Sequence, residues 1–170
     1  MNLESNHDMD EIIDNLYLGS FEGAQNIYKI KDLGIKKVLT VMDYNGGPNY
    51  DPKEFIHKRI DILDNCPQNI LQYLGECLNF IKGEEKVLVH CMAGASRSAT
   101  VVIAYLMWIK KWEYEQTFDY VKSKRPIVRP NDGFQDQLKI FEKLLIDNEY
   151  NIDKINFKDI KWDPSESLLF

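Results

Sequence analysis

The chain is short of cysteine. Its three thiols, Cys66, Cys77 and Cys91, are odd in number and irregularly spaced. That pattern excludes a disulfide framework, and with no Cys-x-x-Cys pair there is no zinc-ligand spacing either. It suits a reducing compartment, cytosol or nucleus. Positive charge is not in excess: 21 Lys and Arg stand against 27 Asp and Glu, a net charge of -6. Nucleic acids and anionic membranes both call for a basic footprint, so neither is an expected partner. No apolar run approaches the ~20 residues that cross a bilayer. The opening Met1-Asn2-Leu3-Glu4-Ser5 is polar and acidic, so no secretory leader is expected. There is no internal repeat and no low-complexity tract. What is present, 170 residues with 44% hydrophobic, suits one compact domain with a sizeable core.

Strand and helix signals alternate through the first third. Asn15–Gly19 reads as a short edge strand ended by glycine. Ala24–Leu33 places Ile27, Ile30 and Leu33 at helical spacing, with Gly34 as the stop. Lys36–Met42 reads as a strand and runs into the loop Asp43-Tyr44-Asn45-Gly46-Gly47-Pro48. Phe55–Ile62 alternates as a further strand. Helical faces follow: Ile70, Leu74, Cys77, Leu78 and Ile81; then, after the buried strand Val87–Val89, a segment from Ser98 to Ile109 that is apolar nearly all round. Tyr114, Thr117, Phe118 and Val121 mark the next helix, and Phe134, Leu138, Phe141 and Leu145 the last. Pro126 and Pro130 keep Ser123–Asp132 from being one helix. The pattern predicts an α/β domain, with helices gathered in the second half. Residues 148–170 carry Ile152, Ile155, Phe157, Ile160 and Trp162. So many large apolar groups argue against a disordered tail. They predict an extension packed back on the domain, the rival reading being a docking segment.

The stretch that carries chemistry is His90-Cys91-Met92-Ala93-Gly94-Ala95-Ser96-Arg97-Ser98. A strand leads in and a helix leads out. Such a junction turns successive backbone N–H groups, with the positive end of the helix, toward one point, which is a cradle for an anion and above all phosphate. Gly94, between Ala93 and Ala95, allows close backbone approach. Arg97 brings a planar fork that grips two phosphate oxygens. The same field favours the thiolate of Cys91 at the base of the cradle. His90 is placed to fix the loop by bonding to backbone near the thiol. One loop thus carries a nucleophile and a clamp for the transition state. Cys66 and Cys77 lack this setting and read as structural. His7 and His57 read as isolated.

These residues resemble the Cys-x5-Arg phosphatases, most closely the small, atypical dual-specificity phosphatases. The resemblance extends beyond the loop: "IIDNLYLGSFEGAQN", "LGIKKVLTV", "KRIDILDNCPQNILQYLGECLNFI" and "RPIVRPNDGFQDQL" follow the family's order, covering residues 10 to 145. It implies a central, mixed, mostly parallel sheet flanked by helices, as in the protein tyrosine phosphatase catalytic domain. It implies a division into a catalytic domain, 1–147, and the extension, 148–170. Cys91 would attack phosphorus and form a phosphocysteine. Arg97 and the loop amides of Met92, Ala93, Gly94, Ala95, Ser96 and Arg97 would hold the equatorial oxygens. Ser98 matches a hydroxyl that stabilises the departing thiolate, and Asn131 an asparagine that holds the phosphate loop. The general acid falls on one of two aspartates in "RIDILDNCPQNI". Asp64 fits the family spacing, while Asp61 lies within the strand and reads as solvated. No cofactor and no metal are implied.

Loop composition bears on substrate. Relatives that act on inositol lipids tend to carry lysines in the loop, and RNA 5'-phosphatases carry histidine and asparagine there. Here Met92, Ala93, Ala95 and Ser96 carry no charge. The expected substrate is therefore a phosphoprotein bearing phosphotyrosine or phosphoserine/phosphothreonine. Two alternatives stand: a non-catalytic module that only binds phosphate, and a phosphatase for a non-protein phosphate ester.

Overall fold

The structure, a computed structural model, describes residues 8–165. The opening residues and His7 lie outside it, as do residues 166–170. Five strands form one sheet: β1 (Met9–Ile13), β2 (Leu16–Gly19), β3 (Lys37–Val41), β4 (Ile56–Ile60) and β5 (Val87–His90), in spatial order β1-β2-β5-β3-β4. β1 is antiparallel to β2, and the other neighbouring pairs are parallel. The sheet is thus mixed and mostly parallel, flanked by helices, in agreement with the expected class.

Two elements differ from the sequence reading. β2 is not an edge. It pairs with β1 on one side and β5 on the other, and all four of its residues are buried. The edge belongs to Met9–Ile13, whose Asp10 and Glu11 hide a strand that buries Met9 and Ile12. Polar residues on an edge also discourage pairing with other chains. The second difference lies at Ala24–Leu33, where two short helices replace one: α1 (Phe21–Gln25) and α2 (Ile27–Asp32). Asn26 causes the break. It closes α1, and its side chain accepts a hydrogen bond from the Lys29 amide to cap α2. Asparagine competes for backbone donors in this way and favours caps over helix interiors.

Strand alternation divides the interior into two layers. Leu16, Leu18, Leu39, Val41, Val87 and Val89 point into the larger core, which is covered by α3 (Leu71–Ile81), α4 (Arg97–Lys110), α5 (Tyr114–Lys124) and α6 (Asp132–Asp147). Tyr17, Val38 and Leu88 point the other way, against Ala24 and Ile30 of the two short helices. α4 is central: every residue from Arg97 to Met107 is buried. After α6 come two single-turn 3-10 helices, Ile152–Lys154 and Phe157–Asp159. Ile152, Ile155 and Phe157 are buried in the larger core. The Phe157 ring lies over Gly75 of α3, where an added Cβ would come within 2.5 Å of it.

Candidate active site

β5 ends at His90 and α4 begins at Arg97. The loop between them emerges at the C-terminal end of a strand flanked by β2 and β3, where a parallel sheet presents its ligand crevice. Its carbonyls are all engaged from outside. His90 Nδ1 lies 3.2 Å from Cys91 O. Met92 O accepts from the Phe21 amide, Ala95 O from the Arg129 amide and Ser96 O from the Thr100 amide. Arg125 supplies the rest, Nη2 to Ala93 O at 3.1 Å and Nε to Gly94 O at 2.9 Å. No peptide here is cis. In a trans peptide the N–H points opposite to the carbonyl before it. Each of the six amides from Met92 to Arg97 therefore points away from a carbonyl that is already engaged.

Gly94 is required twice over. Its φ is +69°, and a Cβ there would lie 2.5 Å from Gly19 O and 2.8 Å from Arg125 Nη2. Arg125 itself is fully buried, and its Nη1 forms an ion pair with Asp10 Oδ2 at 2.8 Å. Neither Arg125 nor Asp10 was assigned a role from sequence. They sit 115 positions apart, and no spacing rule joins a residue of the edge strand to the loop before α6.

Cys91 is 3% exposed, with its Sγ 3.0 Å from Ser98 Oγ. Behind it lies a polar chain that sequence reading missed. Thr40 Oγ1 lies 2.7 Å from His90 Nε2 and 2.8 Å from His57 Nε2, so His57 is not isolated. The proton positions follow from the partners. Cys91 O can only accept, so His90 Nδ1 carries a proton. Burial pushes the His90 pKa down to about 4, so the ring is neutral and its Nε2 accepts. Thr40 donates to it and in turn accepts from His57 Nε2–H. Desolvation and the nearby Arg59 charge lower the His57 pKa as well.

Arg97 is buried, its Nη1 donating to Asp43 Oδ1 at 2.9 Å and to Ile62 O at 3.1 Å. Its Nε is the one buried side-chain polar atom without a partner among the described residues. A buried guanidinium N–H without an acceptor is costly and calls for an explanation. Asp64 reaches the loop from the other side. Its Oδ1 accepts from Ser96 Oγ at 2.7 Å and from Asn131 Nδ2 at 3.0 Å. Asn131 touches the loop through its backbone, its amide donating to Ser96 Oγ at 3.0 Å, while its Oδ1 caps α6 at Phe134 N. The side chain thus holds Asp64 rather than the loop. Asp61 is exposed and pairs with Arg59 at 3.0 Å.

A five-stranded, mostly parallel sheet whose central strand feeds a Cys-x5-Arg loop into a buried helix defines the cysteine-dependent phosphatase class. Comparison with known proteins narrows this. Residues 16–144 match the dual specificity phosphatase catalytic domain, and the chain belongs to that family. It is similar to tyrosine-protein phosphatase yvh1 of Schizosaccharomyces pombe, 38% identical over 81% of this chain and 42% of the relative. It is also similar to dual specificity protein phosphatase 1B of Arabidopsis thaliana, 37% identical over 86% of this chain and 89% of the relative. Among solved structures, the human tyrosine phosphatase-like serine/threonine/tyrosine-interacting protein superposes with a TM-score of 0.77. It is 33% identical and matched over 81% of this chain and 97% of that one. The chain spans less than half the length of the Schizosaccharomyces relative.

Proposed function

We propose that this chain is a dual-specificity protein phosphatase that hydrolyses phosphotyrosine and phosphoserine/phosphothreonine through a phosphocysteine. The observation that supports this reading is a β5–α4 loop whose six carbonyls are all engaged, beginning at the Cys91 thiol and ending at Arg97, whose buried Nε has no partner. The Cys91 thiolate attacks phosphorus, forming the S–P bond as the bond to the leaving oxygen breaks. The amides and Arg97 hold the equatorial oxygens as charge spreads over them. Asp64 gives its proton to the leaving oxygen. Both hydrogen bonds to its carboxyl end on Oδ1, which leaves Oδ2 to carry that proton. In the second step Asp64 takes a proton from water, the oxygen attacks phosphorus, and the S–P bond breaks. Ser98 Oγ, 3.0 Å from Sγ, stabilises the thiolate as it leaves.

The uncharged loop favours a phosphoprotein over an inositol lipid. Exposed apolar side chains beside it, Met92 and Leu63, suit a peptide chain. We take 1–147 as the catalytic domain and 148–170 as an extension, a division supported by the family match ending at 144. No helix among the described residues is long and apolar enough to cross a membrane. The cysteine usage favours cytosol or nucleus. No cofactor enters the chemistry above. The test is turnover of matched phosphotyrosyl and phosphothreonyl peptides in metal-free buffer. Wild type releases phosphate from both and Cys91→Ser from neither. Hydrolysis of a small aryl phosphate alone would move the substrate to a non-protein ester.

A further inference from the structure

The loop that carries Asp64 is bonded on its far side to the C-terminal extension. Leu63, Asp64 and Asn65 are exposed, and the loop's internal bonds centre on Gln68: Leu63 N to Gln68 Oε1 and Gln68 N to Asn65 Oδ1, each 3.0 Å, with Gln68 N to Asn65 O and Gln68 Nε2 to Asn69 O longer, each 3.3 Å. From within, Gly133 of α6 presses on it so closely that a Cβ there would lie 2.4 Å from Cys66 O, and the buried Gln137 donates from Nε2 to Gln68 O at 2.9 Å and accepts at Oε1 from Ile70 N at 2.8 Å. From outside come two hydrogen bonds with the extension. Trp162 Nε1 donates to Cys66 O at 2.7 Å, and Asn69 Nδ2 donates to Ile160 O at 2.7 Å. Both donors are side chains, and the two bonds bracket the segment just after Asp64. The extension that makes them is anchored by the buried Ile152, Ile155 and Phe157. It lies wholly beyond the family match at 16–144.

We propose that residues 150–162 form a clasp that positions the general acid, with Trp162 as a positioning residue for proton transfer to the leaving group. The inference rests on the reading of Asp64 as that acid. A carboxyl on an exposed loop delivers its proton efficiently only if the loop is held, because a misplacement of about 1 Å can cost up to ~100-fold in rate. Ser96 and Asn131 hold the carboxyl itself, and the clasp adds a hold on the chain just after it, through bonds at Cys66 and Asn69 rather than at the phosphate loop. Loosening it should therefore harm the reaction selectively. Substrates whose leaving group departs poorly without a proton should suffer, and those with a good leaving group should not.

The experiment compares kcat/KM for phenyl phosphate and p-nitrophenyl phosphate in the full chain, its Trp162→Phe and Asn69→Asp variants, and Asp64→Asn. Trp162→Phe keeps a ring but removes the N–H. Asn69→Asp keeps an acceptor for the Gln72 amide but removes the donor to Ile160. Thermal unfolding by circular dichroism runs beside the kinetics to show that each variant is folded. Each clasp variant should lose roughly tenfold on phenyl phosphate and less than about twofold on p-nitrophenyl phosphate, a fraction of what loss of the acid itself costs. In the Asp64→Asn background, Trp162→Phe should change neither value. Equal losses on both substrates, or losses that persist without Asp64, would show a merely structural extension and overturn the proposal. A flat leaving-group response in Asp64→Asn alone would instead remove Asp64 as the acid, and the clasp's purpose with it.

Discussion

At the scale of single residues, the phosphate loop shows polar groups diverted from ordinary duties to the site. Ser96 occupies the N-cap of α4 yet makes no side-chain capping bond. Its hydroxyl donates to Asp64 and accepts from the Asn131 amide instead. Ser98 is fully buried with its oxygen 3.0 Å from Cys91 Sγ, the proposed nucleophile. A hydroxyl there matters little while phosphorus is being attacked and more when the thiolate must leave. Ser98→Ala should therefore slow turnover by about 10–100-fold while leaving the first step nearly intact. Rapid-quench kinetics with p-nitrophenyl phosphate should then show a burst of nitrophenol and a trapped phosphocysteine. A proportional loss of burst and steady-state rates would contradict that role.

At the scale of elements, the loop's shape is imposed by neighbours. β1, α1, α4 and the turn before α6 each contribute a donor or an ion partner. Arg125 is the hub, joining β1 through Asp10 to two loop carbonyls. Breaking a largely buried, hydrogen-bonded ion pair costs roughly 3–5 kcal/mol. Arg125→Met should lower stability in urea by an amount of that order. It should also lower kcat more than its residual folded fraction explains, because freed carbonyls let the amides turn away from the phosphate. Asp10→Asn should do the same more mildly. A double-mutant cycle should show strong coupling between the two.

At the scale of the whole molecule, the buried histidine links the site to global stability. His90 has a folded pKa of about 4 against an ordinary 6.5, so below 6.5 the unfolded chain binds a proton that the folded chain refuses. Stability is full above 6.5 and falls as pH drops toward 4, where both states become protonated. The fall from 6.5 to about 4 corresponds to a loss of ~3 kcal/mol. His57, lowered in the same direction, adds to the loss with the same sign. Urea unfolding at pH 7 and pH 4.5 should show this difference. His90→Asn should flatten it, at the expense of stability at neutral pH.

Much of this protein was legible one element at a time. The apolar run around α4, the faces of α3 and α6, the strands flanking the central loop and the Cys-x5-Arg spacing are all local patterns, readable from neighbouring residues alone. Period and spacing act over a few residues, so they survive without knowledge of the fold. The edge strand was hidden because Asp10 serves Arg125 rather than solvent, and Asn26 split a helix whose apolar spacing looked continuous. Which partners the loop carbonyls find, that two histidines share one threonine, and that Trp162 reaches the loop of Asp64 emerge only in the folded chain. Each of these depends on groups brought together from distant parts of the chain, where the partner is chosen by packing and not by sequence separation.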